Sequence, residues 1–76
     1  MNTSLFVGLC YDAGFEVEFS GQLTEVLTRD RIKVAIIDEG AGSLYRVDTY
    51  STNREQAAAL SEMVPMYALT PIEERE

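Results

Sequence analysis

Seventy-six residues allow one domain, and a domain of this size buries only roughly 60–65% of the surface its unfolded chain exposes, so the core is small and a second copy or a partner would help to cover apolar surface. Thirteen acidic against six basic side chains give a net charge of −7, which repels nucleic acid and phosphorylated substrates and attracts basic protein surfaces. The absence of histidine removes the usual general base, the commonest metal ligand and every Ser-His or Cys-His nucleophile, and most hydrolase designs with them.

Met1-Asn2-Thr3-Ser4 lacks the positive charge of a signal peptide, and no apolar run approaches the roughly 20 residues of a membrane span. The first apolar run, Leu5 to Tyr11, is continuous and short, which predicts a buried strand. It contains the only cysteine, Cys10, which has no internal bridging partner and behaves there as a small buried hydrophobe. These features set the expectation of a reducing, cytoplasmic setting and no membrane partner.

Asp12-Ala13-Gly14 supplies turn chemistry, and Phe15 to Ser20 then alternates strictly, turning Glu16 and Glu18 to the same outward side of a strand. The two segments predict a hairpin. Gln22 to Thr28 fits helical spacing at Leu23, Val26 and Leu27, but its threonines and valine favour an extended chain, and strand is preferred. Thr28 to Arg31 reads as a turn into the β-branched strand Ile32 to Ile37. Asp38 to Ser43 is a polar, glycine-bearing connection, and Leu44 to Tyr50 predicts a further strand.

Thr52-Asn53-Arg54-Glu55 matches a capping box, so a helix starts at Thr52, with Ala57, Leu60, Met63 and Val64 on one stripe and Pro65 at its end. Met66 to Leu69 reads as a short edge strand. Thr70 onward repeats the capping signature but leaves too few residues for a helix to propagate. The fold expected is therefore α+β: a small four- or five-stranded, mainly antiparallel sheet with one main α-helix packed on one face. Residues 1–69 would form the compact domain and 70–76 a frayed acidic tail.

The motifs that carry chemistry are weak. Asp38-Glu39 beside glycines has the composition of a hard-cation or acid/base pair, but adjacent turn residues seldom converge on one point, and a solvated turn is the plainer reading. Gly40-Ala41-Gly42-Ser43 lacks the lysine and later glycine of nucleotide-binding loops, and two acids precede it. Arg29, Arg31 and Lys33 are too few for a nucleic-acid site on so acidic a chain and are expected to balance neighbouring acids across the sheet or to reach one acidic spot on a partner. Cys10 has no nearby base to activate it. Met63, Met66 and Tyr67 are expected to pack in the core, with an apolar contact surface as the alternative. No catalytic residue, cofactor or metal site is expected.

Leu44-Tyr45-Arg46-Val47, followed by Ser51 to Leu60 with Glu55, Ala57, Ala58 and Leu60, resembles half of a peptidoglycan-binding sporulation-related repeat, in which a strand leads into a capped, alanine-rich helix. The likeness covers under a quarter of the chain, and the first half carries no matching strand-to-helix unit, so no family is assigned.

What remains is an expectation of a non-enzymatic module that meets a basic protein surface, such as that of a nucleic-acid-binding complex, through Asp12, Glu16, Glu18, Asp38, Glu39 and Asp48, without touching nucleic acid itself. Successive outward residues on a strand lie roughly 6.5–7 Å apart, close to the phosphate spacing of a nucleic-acid strand. Phage-encoded anti-restriction and anti-CRISPR inhibitors are of this general kind. The alternative is a structural or assembly module that self-associates, as a homodimer, through a sheet edge or the Met63–Leu69 apolar segment.

Overall fold

The computed structural model describes residues 1–41 and 44–75. Its elements run α1 (Thr3–Asp12), β1 (Phe15–Ser20), β2 (Leu23–Thr28), β3 (Lys33–Asp38), a 3-10 turn (Glu39–Ala41), β4 (Leu44–Val47), α2 (Arg54–Ala68) and a second 3-10 turn (Ile72–Glu74). The strands form one antiparallel sheet in the order β1-β2-β3-β4, and both helices pack on one of its faces. The α+β class is as the sequence predicts, with α2 the main helix. Among the described residues, no helix is long and apolar enough to cross a membrane.

The N-terminal segment departs from expectation: Leu5 to Tyr11 is the body of α1, not a strand. A continuous apolar run satisfies either period, and here Phe6, Leu9, Cys10 and Ala13 already stand at helical spacing. Phe6 and Cys10 are fully buried, whereas Leu5 and Tyr11 face solvent. Asn2 starts the helix by accepting the Leu5 N–H at 2.8 Å. Gly14 leaves it at φ +96°, where a Cβ would stand 2.9 Å from the Gln56 amide nitrogen.

With the first segment helical, β1 pairs instead with β2, matching Val17 to Val26 and Glu18 to Glu25. Their two-residue connection is Gly21-Gln22, with Gly21 at φ +59° in the first position, a turn whose twist suits a hairpin. Leu23 to Thr28 is thus a strand, and it is largely buried because it lies between β1 and β3. β4 stops at Val47 rather than running to Tyr50. Asp48 Oδ1 accepts the Tyr50 N–H at 3.0 Å, and the Thr52 N–H and hydroxyl both donate to the Thr49 carbonyl, which turns the chain towards α2. Gly42 and Ser43, the second half of the expected glycine-bearing loop, lie outside the described residues.

α2 starts one residue later than the Thr52 pattern predicts. Asn53 is the cap: its Oδ1 accepts the Gln56 N–H at 2.8 Å, and Gln56 Oε1 accepts the Asn53 N–H at 3.2 Å. Pro65 does not terminate the helix, which runs on to Ala68 and takes in most of the expected Met66–Leu69 edge strand. The last turn is held by packing. Tyr67 stacks on Phe6 with ring centroids 4.2 Å apart and shares a 2.9 Å hydrogen bond with the Thr3 hydroxyl, and Ala68 is fully buried. An interior proline costs about 3 kcal/mol, which burial of an aromatic ring and its neighbours offsets. Met63 and Tyr67 belong to the core, while Met66 is exposed.

The chain end also departs from a frayed tail. After the Ile72–Glu74 turn, Arg75 folds back with its residue only 4% exposed, and its carbonyl accepts the Thr3 N–H at 2.5 Å.

Candidate partner-binding surface

Strand alternation divides the sheet into two faces. Phe15, Val26, Ala35, Ile37 and Val47 point to the helices. The opposite, open face carries Glu16 and Glu18 from β1, Glu25 and Leu27 from β2, Lys33, Ile36 and Asp38 from β3, and Leu44 and Arg46 from β4. The outward placement of Glu16 and Glu18 follows the sequence reading, and basic groups compensate the face they share.

Arg31 reaches over β1 and donates to Glu18 at 2.5 Å and to Glu16 at 3.4 Å. Both carboxylates of the predicted phosphate-like pair thus share one guanidinium. The hydrogen bond and charge of Glu18, with a smaller contribution from Glu16, hold Arg31 more firmly protonated than usual. Arg31 adopts φ +70°, a conformation rare for a side chain with a Cβ, in the hairpin position that glycine commonly fills. Lys33 pairs with Glu25 at 2.8 Å across to β2. Cross-strand balancing by Arg31 and Lys33 is as expected, whereas Arg29 lies over the Tyr11 ring at 5.1 Å and donates to the Tyr11 carbonyl. With Arg46 included, four carboxylates and three basic groups among the described residues leave the open face at a net −1.

The other acids singled out from the sequence do not converge. Asp12 ends α1, on the far side of the sheet from Glu16, and shares a hollow of about 320 Å³ with Asn53, Glu55 and Gln56. Asp38 Oδ1 accepts the Gly40 N–H at 3.0 Å, beside a shallow hollow of about 250 Å³ formed with Ile36, Leu44 and Arg46. Glu39 is committed inward, pairing with Arg75 and accepting the Thr24 hydroxyl at 3.1 Å. Asp48 serves the turn after β4.

Eight carboxylates have no ion-pair partner among the described residues: Asp12, Asp30, Asp38, Asp48, Glu55, Glu62, Glu73 and Glu74. Glu55 and Glu62 stand seven residues apart on the solvent side of α2, so they share one helix face. This acidic side escaped the sequence reading, although the spacing was its signal. Arg75 escaped it too, because its partner Glu39 lies on a distant element.

Among the described residues no group of three or more potential ligands is placed to hold a metal ion. Cys10 is sealed in the core, and burial pushes its thiol up to about 12 from 9.0, the reverse of what a nucleophile needs. Compared with family models, curated proteins and solved structures, the chain matches none.

Proposed function

We propose that the protein is a non-enzymatic binding module that docks on a basic protein surface, and that it acts as an inhibitor by occupying the nucleic-acid-binding surface of a DNA- or RNA-handling complex, in the manner of phage anti-restriction or anti-CRISPR proteins. The observation that carries this reading is the imbalance among unpaired charges. Among the described residues, eight carboxylates have no ion-pair partner, against three basic groups in the same position, Arg29, Arg46 and Arg54. Such an excess steers association with a cationic surface and makes it sensitive to salt.

The helical side is the better contact. Asp12 and Glu55 line one hollow that has no basic residue in its wall, whereas Glu16 and Glu18 are already held by Arg31. A panel of restriction and CRISPR complexes, scored for displacement of bound DNA at 50–400 mM salt, tests the proposal. Displacement that fades as salt rises is expected. Asp12→Asn with Glu55→Gln should weaken it about tenfold, more than Glu16→Gln with Glu18→Gln does. Absence of displacement across the panel, or displacement indifferent to salt, refutes the reading.

Self-association is the second reading, favoured by one observation. β4 is an edge strand of four residues on which Leu44 and Tyr45 are 63% and 43% exposed. Sedimentation at high salt separates the two, because apolar pairing survives there.

A further inference from the structure

The Arg75 side chain, 5% exposed, occupies a receptacle built from two separate parts of the chain. One terminal nitrogen donates to the Glu39 carboxylate, the other to the Ala68 carbonyl at 2.9 Å, and Nε to the Thr70 carbonyl at 2.9 Å. The guanidinium carbon lies 4.6 Å from the Tyr67 ring centroid. A carboxylate, two carbonyls at the negative end of α2 and an aromatic face together match a flat, five-donor cation. An ammonium group, compact and strongly hydrated, satisfies only part of that set.

The turn that delivers this side chain is lightly held. Pro71, Ile72, Glu73 and Glu74 are all exposed, and among the described residues beyond Thr70 the hydrogen-bonded anchors to the rest of the fold are the Arg75 side chain and its carbonyl on the Thr3 N–H. The exposed turn itself adds little to the cost of lifting, which is set by the contacts of Arg75 and is offset when another guanidinium takes them over. Beside the receptacle runs a cleft of about 230 Å³, with Phe19, Leu23, Thr24 and Ile72 in its walls. Phe19 and Ile72 are each 58% exposed at its mouth, so an extended segment of a partner can reach the receptacle from solvent.

We propose that this receptacle is a guanidinium-binding site, filled in cis by Arg75, that accepts an arginine side chain of the basic partner when the C-terminal turn lifts. The choice of occupant rests on the proposed function, whereas the site does not. Glu73 and Glu74 immediately precede Arg75 in sequence, so a cationic surface draws the turn outward while its own arginine remakes the hydrogen bonds that Arg75 gives up. The turn holds Arg75 pre-positioned, so its effective concentration exceeds the dissociation constant for a free guanidinium, and in the intact protein a single free arginine binds poorly.

The test compares ethylguanidinium with ethylammonium at 50 mM and equal ionic strength on Arg75→Ala. The variant should melt about 10 °C below the parent, and ethylguanidinium, not ethylammonium, should recover about 3 °C of that loss. Adding Glu39→Gln should abolish the recovery. If Arg75→Ala does not fold, ethylguanidinium-dependent refolding reads the same selectivity. In a second arm, an acetylated Gly-Arg-Gly amide should bind the variant at least tenfold more tightly than the parent, and its citrulline analogue should bind neither. Equal effects of the two cations, or equal peptide binding by variant and parent, overturn the proposal and leave the charge-driven docking reading untouched.

Discussion

Replacing Asn53 by alanine separates the observed start of α2 from the one the sequence suggests. The change deletes the Oδ1 acceptor of the Gln56 N–H at 2.8 Å and unties the Gln56 side chain, whose Oε1 takes the Asn53 N–H at 3.2 Å. Loss of such a cap costs about 1 kcal/mol, which in a domain of this size lowers the thermal midpoint by about 5 °C. Thr52→Ala removes a hydroxyl that bonds only the preceding Thr49 carbonyl at 2.7 Å and should cost about half as much or less. Gln56→Ala should cost more than either, because Gln56 Nε2 also donates to the Ala13 carbonyl at 3.1 Å and joins the two helices. Thermal melts followed by circular dichroism, with the Asn53/Gln56 double variant to close a cycle, give all three values. A Thr52→Ala loss larger than that of Asn53→Ala would move the cap one residue back and refute the argument.

Pro65→Ala should stabilise the fold by about 2 kcal/mol, since alanine restores a helical N–H donor while the unfolded chain regains some freedom; an unchanged or lower urea midpoint would mean that the proline is needed where it stands. Cys10 gives a pH signature: the unfolded thiol ionises near 9.0 and the folded one near 12, so stability is complete below pH 9 and falls as pH rises towards 12. Cys10→Ala should remove up to about 1.4 kcal/mol per pH unit of that fall, and parallel urea-derived slopes for parent and variant between pH 9 and 11 would show the thiol to be accessible.

The sequence carried the strands better than the helices, for a physical reason. Phe15 to Ser20 and Ile32 to Ile37 each had one pattern that fitted one structure, alternation in the first and β-branched density in the second, and both were found as strands. Leu5 to Tyr11 had apolar side chains on all sides, so its period was hidden, and the deciding fact was the fit of Phe6 against Tyr67 from the other end of the chain. The end of α2 was misread for a related reason. Pro65 breaks a helix on local energetics, but Tyr67 and Ala68 are buried only if the helix continues. Arg75 lies among residues whose composition signals a loose end, and nothing local reveals that Glu39 waits for it 36 positions away.

The same distinction governs the charge. Alternation alone places Glu16 and Glu18 outward at a phosphate-like spacing, but it cannot show that the hairpin after β2 returns Arg31 to them. That return requires the β1–β2 register and a left-handed residue at the end of the turn, both set by tertiary pairing. A glycine there would relieve the backbone and leave two bare carboxylates, so the side chain at this position sets the charge of the open face. The described residues carry a net −6; with Arg31, Lys33 and Arg46 holding that face at −1, five of those six excess charges lie elsewhere, on the helical side, the turns and the C-terminal turn. On the proposed docking, a cationic partner drawn by long-range attraction would therefore meet α2 and the C-terminal turn first, and contact with Glu16 and Glu18 would require it to displace an arginine already in place.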